Sequence, residues 1–480
     1  MSTNDREQRD VSRRTIMRTA VGVGAGTTLA GCMGDEGGSG DGGDGTDGGD
    51  GSDGSDGSDG SGGDRDDISH LGHITYAWPA QVEKFEEVND FSVERTIVSY
   101  AGIQQKLFSG GNESFDVAGF EGIIARPALV FNDFSVGVSP DDLDTYTEWN
   151  DDNVASVFTN PTDRLDYLGE QAELLEETIW ADPDSKSELN MIPTNYNFDS
   201  VGYNPKFVEP GSVTTWSPLF DEQYQGQVAL GVVPVISVAE TIMHLMDKDV
   251  MDEDVDSVNN PSQEQIDEAV DFLVSQKDAG QFRALWGATG RSAELMSSEE
   301  AVIGNIWQPA VFSVRANGTP CRYATLDGGI QGFALTTGGF IPTKPGAETR
   351  GTVDQAIEWS HFHHGAWYAD FVQKQTGYSV PHYKNTDLVR DGEDETGEGM
   401  GPEFYDWAYE GEATYEAVDE PALFQPSEYD WSMEEGDPSS DGQERDGGSI
   451  ETRTDRIGTW YTWPDEGDHL SKRWTDFTGG

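Results

Sequence analysis

The stretch "HFHHGAW" sets His361, His363 and His364 close together, with His382 downstream in "VPHYK". Imidazole is a common metal ligand, so the cluster first raises metal chemistry. On a helix, however, 361 and 364 share a face and 363 does not. No neighbouring Cys or HExxH pattern joins them, and no metal is expected. "LWGATGRSAEL" offers a different chemistry, because Thr289, Gly290 and Ser292 can open a helix whose free N–H groups, with the Arg291 guanidinium, would hold an anion. The plainer reading is a capping turn beside a surface arginine. The glycine clusters lack a Walker lysine, and no G-x-S-x-G elbow or GxGxxG after a strand is present. Paired carboxylates carry no information in a chain with 90 acidic residues, which leaves a tethered extracellular hydrolase as the reading from another class. No cofactor is expected.

The elements that would position these residues follow a regular order. "HLGHITYAWPA" supplies a strand, and "AQVEKFEEV" follows with Val82, Phe85 and Val88 on one helical face. "SVERTIVSY" reads as a strand, "AGIQQKLFSGG" as a helix with a Gly stop, and "SFDVAGF" as a strand. This β-α-β-α-β start implies a parallel sheet flanked by helices. The pattern recurs: "GQVALGVV" and "EAVIGNIW" are strands, while "VISVAETIMHLM", "SQEQIDEAVDFLVSQ" and "PAVFSVRANG" are helices. Two α/β lobes are predicted, with the helical "DHLSKRWTDF" closing the chain. Acidic, Gly-rich sequence at 385–454 is expected to be an inserted, partly ordered surface region, although Phe404, Tyr405, Trp407 and Tyr409 interrupt it.

Lys plus Arg number 29 against 90 Asp plus Glu, a formal charge of -61. That excludes general nucleic-acid binding, which needs cations facing phosphate. Aromatics at 10% and recurring apolar segments argue that most of the chain folds, so the charge belongs to its surface. Self-repulsion of this size is screened in molar salt, where the Debye length is ~3 Å, and the composition resembles that of a halophile's proteins. Two cysteines, Cys32 and Cys321, make no disulfide framework, and Cys321 reads as a small buried hydrophobe.

At the N-terminus, "SRRTIMR" carries Arg13 and Arg14 ahead of "TAVGVGAGTTLAG", a run too short and Gly-rich to span a bilayer. It resembles a twin-arginine export signal. The run ends in Leu29-Ala30-Gly31-Cys32, similar to a lipoprotein box, in which the cysteine is lipidated and becomes the first mature residue. Residues 34–67 are nearly all Gly, Asp and Ser, with nothing to bury, and read as a tether.

Three blocks resemble the extracellular solute-binding proteins of ABC importers, in particular the spermidine/putrescine-binding group, in a haloarchaeal lipoprotein form. They are "MIPTNYNFDSVGYNPKFVEPGSVTTWSPLFDEQYQGQVAL", "SSEEAVIGNIWQPAVFSVRANGTPCRYATLDGG" and "AIEWSHFHHGAWYADFVQKQTGYSVPHY". The resemblance implies a two-lobed type II periplasmic-binding-protein-like α/β fold with its ligand cleft between the lobes. It divides the chain into a signal peptide (1–31), a lipidated Cys with tether (32–67), lobe one (68–199 with 338–384), lobe two (200–337 with 455–480) and the acidic insert. It also implies a small organic solute, polyamine-like, passed to a membrane permease by a monomeric receptor that is anchored through Cys32 on the extracellular face and performs no chemistry. By the same resemblance Trp78, Tyr196, Trp307, Tyr378 and Tyr461 line the cleft, where aromatic faces suit an alkyl chain or an ammonium group. Three carboxylates of the pattern are missing: Pro79, Ala80 and Gln81 follow the first aromatic, Gly231, Val232 and Val233 end a lobe-two strand, and Ala334 to Thr337 replace a third acidic position. Glu121 in "AGFEG" and Asp199 in "YNFDS" remain as cleft acids. If Arg291 faces the cleft instead, an amino acid or other carboxylate becomes the ligand.

Overall fold

A computed structural model describes residues 67–412, except 144, and 445–479. Arg13, Arg14, Cys32 and the tether lie outside the described residues.

The chain opens with β1 (Ile68–Gly72), α1 (Pro79–Val88), β2 (Val93–Ile97), α2 (Tyr100–Phe108) and β3 (Val117–Glu121). β2 and β3 both pair parallel to β1, as the alternation predicts. Spacing along α1 buries Val82 and Phe85 against Phe91 and Trp359. Ser99 caps α2 by accepting from the Gly102 N–H. Helix α3 (Glu170–Ile179) leads to the long strand β4 (Ile192–Asp199).

The second lobe is assembled from β5 (Gly202–Tyr203), β6 (Val228–Gly231), α4 (Pro234–Asp247), α5 (Gln263–Asp278), β7 (Phe282–Trp286), α6 (Thr289–Ser297), β8 (Ile303–Gly304), α7 (Gln308–Ala316) and β9 (Arg322–Tyr323). The chain then returns to the first sheet as β10 (Phe333–Pro342), continues through α8 (Val353–His361) and α9 (Ala366–Thr376), and ends in β11 (Ile457–Trp460) and α10 (Gly467–Gly479).

The two sheets repeat one order. In the first, β2-β1-β3 is followed by antiparallel β10, which also pairs β4 and β11; in the second, β7-β6-β8 is followed by antiparallel β5, then β9. This is the two-lobed α/β architecture expected. The lobes are joined by the short β4–β5 link, by the β9–β10 segment and by the passage from β11 to α10, which packs on α5.

Two segments lie elsewhere than the sequence boundaries place them. Residues 457–460, expected in lobe two, are hydrogen-bonded into the first sheet beside β10, because Ile457 and Trp460 complete its buried face; only α10 joins the second lobe. The described ends of the acidic stretch, 385–412 and 445–454, keep exposed acidic positions but also send side chains into the core. Phe404, Tyr405, Trp407 and Tyr409 are buried, and Tyr409 stacks on Tyr383 at 5.1 Å. Four aromatics within six residues outweigh the acidic composition around them, since each buries a large apolar area.

Candidate functional site

Three strand or helix positions bring carboxyl groups together where the lobes meet. Glu121 ends β3, Asp199 ends β4 at the crossing into the second lobe, and Glu240 lies on α4 of that lobe. All three are buried, and none is ion-paired to Lys or Arg among the described residues.

Asp199 is the best hydrogen-bonded of the three. Thr336 Oγ1 donates to its Oδ2 at 2.6 Å, while Asn197 Nδ2 and the Tyr323 hydroxyl donate to Oδ1 at 2.8 and 3.2 Å. Burial nevertheless outweighs these donors and pushes its carboxyl up to about 6. Glu240 accepts from Asn305 Nδ2 at 2.6 Å and from the Tyr461 hydroxyl at 2.9 Å, and burial, reinforced by Asp199, raises it well above the ordinary range.

Glu121 is pushed up to about 7, by burial first; the approach of Tyr100 and Tyr76 lowers it and Asp199 raises it. A glycine makes that approach possible. Gly338 of β10 pairs with Glu121 in register, and a Cβ there would fall 2.0 Å from the Tyr76 hydroxyl. Tyr76 thus lies over the strand, its hydroxyl facing Glu121 without a well-formed bond.

Aromatic rings wall this acidic centre from both lobes. Trp307, at the start of α7, meets Trp286 edge-on at 4.9 Å and Tyr100 of the first lobe at 6.3 Å. Tyr100 also stacks on His73 at 4.8 Å. The buried Trp286 indole N–H finds no hydrogen-bond partner among the described residues. Tyr378 is buried facing Glu121 and Asp199.

Of the residues named from sequence, Glu121, Asp199, Tyr378, Tyr461 and Trp307 are therefore gathered here. Trp78 is half-buried at the head of α1, where its backbone N–H donates to Gln81 Oε1. Tyr196 stands on the other face of β4 from Asn195, Asn197 and Asp199, and packs against Phe158 and Phe198 at 5.2 and 5.6 Å. Arg291 is exposed and pairs with Glu294 one turn along α6 at 2.5 Å, so its guanidinium is engaged on the helix surface.

Sequence reasoning missed Glu240, Tyr76, Tyr100, Trp286 and Tyr323. Glu240 carried a readable signal, since a lone carboxylate inside the apolar run "VISVAETIMHLM" must find donors when the helix is buried.

The histidines form no ligand set: among the described residues no group of three His, Cys, Asp or Glu is arranged around a metal. His363 packs between Trp359 and Tyr368, His364 Nε2 donates to the Pro193 carbonyl at 2.7 Å, and burial holds His361 near about 3 and His364 near about 4, so both are neutral. Cys321 is buried, and burial pushes its thiol up to about 12.

A Ser–His–Asp contact exists on the second lobe, but in the wrong order for nucleophilic attack. Ser217 Oγ donates to Asp247 at 2.6 Å and meets His244 Nδ1 at 2.9 Å, so the serine bridges acid and imidazole. A nucleophilic triad needs the imidazole between them.

No protein-family description and no curated protein matches the chain. Solved structures do match its fold. A protein of Listeria monocytogenes assigned as a spermidine/putrescine ABC transporter superposes with a TM-score of 0.56 at 13% identity, covering 86% of this chain and 99% of its own. The Tp0655 lipoprotein of Treponema pallidum gives 0.53 at 12% identity, covering 85% and 98%. A spermidine/putrescine ABC transporter substrate-binding protein from Streptococcus pneumoniae gives 0.50 at 17%, covering 74% and 91%. The chain thus has the two-lobed α/β fold of periplasmic-binding proteins.

Proposed function

We propose that the protein is a substrate-binding component of an ABC importer that captures a small organic cation, polyamine-like, and delivers it to a membrane permease without altering it. The observation that carries the reading is the trio Glu121, Asp199 and Glu240, buried between the lobes and facing no Lys or Arg among the described residues. Burying even one unpaired carboxylate is costly, so three together make sense when an incoming cation compensates them. The aromatic wall of Tyr100, Trp286 and Trp307 suits the alkyl portions of such a ligand and adds cation-π attraction of about 0.5–2 kcal/mol per ring.

An anion held by Arg291 is the less supported ligand, because that side chain already pairs with Glu294 at the surface. Export by the twin-arginine route, anchoring through Cys32, a monomeric state and a halophilic setting complete the proposal. Thermal-shift screening in molar salt, with product analysis, tests it. Putrescine or spermidine should raise the melting temperature and be recovered unchanged; stabilisation by carboxylates alone, or turnover of any stabilising compound, would overturn it.

A further inference from the structure

Behind the acidic centre a chain of amides runs from Asp199 to the far side of the core. Asn197 Nδ2 donates to Asp199 Oδ1 at 2.8 Å. With the Gln308 amide turned to suit its neighbours, its Nε2 donates to the Asn197 oxygen at 2.6 Å and its Oε1 accepts from Arg445 Nη2 at 2.9 Å. Arg445, 2% exposed, also donates to the Gly377 carbonyl at 2.8 Å, next to Tyr378. Its neighbour Asp446 accepts both from Arg315 Nη2 at 2.8 Å and from the Tyr323 N–H at 3.2 Å.

An amide side chain can face either way, and its neighbours decide which. A guanidinium has donors only. Arg445 therefore forces the Gln308 oxygen toward itself, which turns the Gln308 NH₂ toward Asn197, which in turn leaves the Asn197 NH₂ for Asp199. Asp446 steadies the second donor, since it holds the backbone of Tyr323, whose hydroxyl reaches the same Asp199 oxygen.

We infer that Arg445 is a positioning residue: it sets the direction of the Gln308–Asn197 relay and so keeps Asp199 an ionised acceptor at the meeting of the lobes. That this matters for ligand capture rests on the cation-binding reading above; the relay itself does not. The titratable groups facing Asp199 are Glu121 from β3, Glu240 from α4, Tyr323 from β9, Tyr378 after α9 and Tyr461 after β11, and the substitutions below leave all of them in place.

The test follows the Asp199 carboxyl by carbon NMR titration of the ligand-free protein, and putrescine affinity by calorimetry, both in molar salt. Gln308→Met removes the donor to Asn197 without changing charge. It should raise the Asp199 midpoint by about one pH unit and weaken putrescine about fivefold at pH 6, with the gap closing by pH 8. Arg445→Lys keeps a donor-only cation and should retain the parental midpoint. An unchanged midpoint in folded Gln308→Met would overturn the inference. If that variant does not fold, the parent decides: the Gln308 and Asn197 side-chain amide signals should shift at the Asp199 midpoint, and silence there would overturn the relay equally. A raised midpoint with no putrescine binding to the parent protein would support the relay and overturn the ligand reading.

Discussion

The Tyr461 hydroxyl, carried just beyond the last strand of the first sheet, donates at 2.9 Å to Glu240 on a helix of the second lobe. Two residues 221 positions apart thus close the acidic centre across the lobes. A hydrogen bond to a charged group contributes about 1.5–3 kcal/mol, so Tyr461→Phe should weaken putrescine binding by about tenfold or more in calorimetry. Glu240→Gln should act with opposite signs on two measurements: cation affinity collapses, while the ligand-free melting temperature at neutral pH rises, because burial makes the parent take up a proton on folding and Gln need not.

Glu121 predicts how stability depends on pH. Its carboxyl is pushed up to about 7 in the folded protein, chiefly by burial, against ~4.3 for an unperturbed Glu. Between those values the unfolded chain loses the proton first and the folded state retains it. The Glu121 contribution is therefore fully present at low pH and fades as pH rises through that window, by up to ~4 kcal/mol. Asp199, pushed up to about 6, has the same sign over a lower range. Denaturant unfolding at pH 5 and pH 8 should show Glu121→Gln gaining much more stability over the parent at the higher pH. An equal gain at both would refute the assignment.

Tyr196 and Trp307 separate core from cleft. Tyr196, 1% exposed between Phe158 and Phe198, should cost about 3 kcal/mol or more as Tyr196→Ala, with cation affinity in the surviving folded fraction unchanged. Half-buried Trp307, meeting Tyr100 across the lobes, should reverse that pattern: Trp307→Ala stays folded and loses affinity about tenfold. Arg291→Ala should change neither measurement.

The repeated β-α-β units were legible because periodicity reports which face is buried; Glu121 and Asp199 stood out only as acids near strand ends, and the fold buries both where the lobes meet. Parity along β4 could have removed Tyr196, since 196 and 199 differ by an odd number and point to opposite faces. Glu240 was hidden by its apolar helix, and the Arg445 relay by sequence distance: Asn197, Gln308 and Arg445 meet only after both lobes have formed. The ends of the acidic stretch misled through composition, because Trp407 and Tyr409 bury themselves regardless of the charges flanking them.

Cys32 lies outside the described residues. Under the proposed anchoring, its place after Leu29-Ala30-Gly31 and ahead of a Gly/Asp/Ser tract makes it the point of attachment. One myristoyl-length chain binds a bilayer with an association constant on the order of 10⁴ M⁻¹, so stable retention requires at least two chains on the cysteine. Membrane fractionation should find the parent protein with the membrane and Cys32→Ser released in soluble, folded, cation-binding form. Replacement of both Arg13 and Arg14 by Lys should instead leave the protein inside the cell. Retention of Cys32→Ser on the membrane would show that something other than a lipid holds it there.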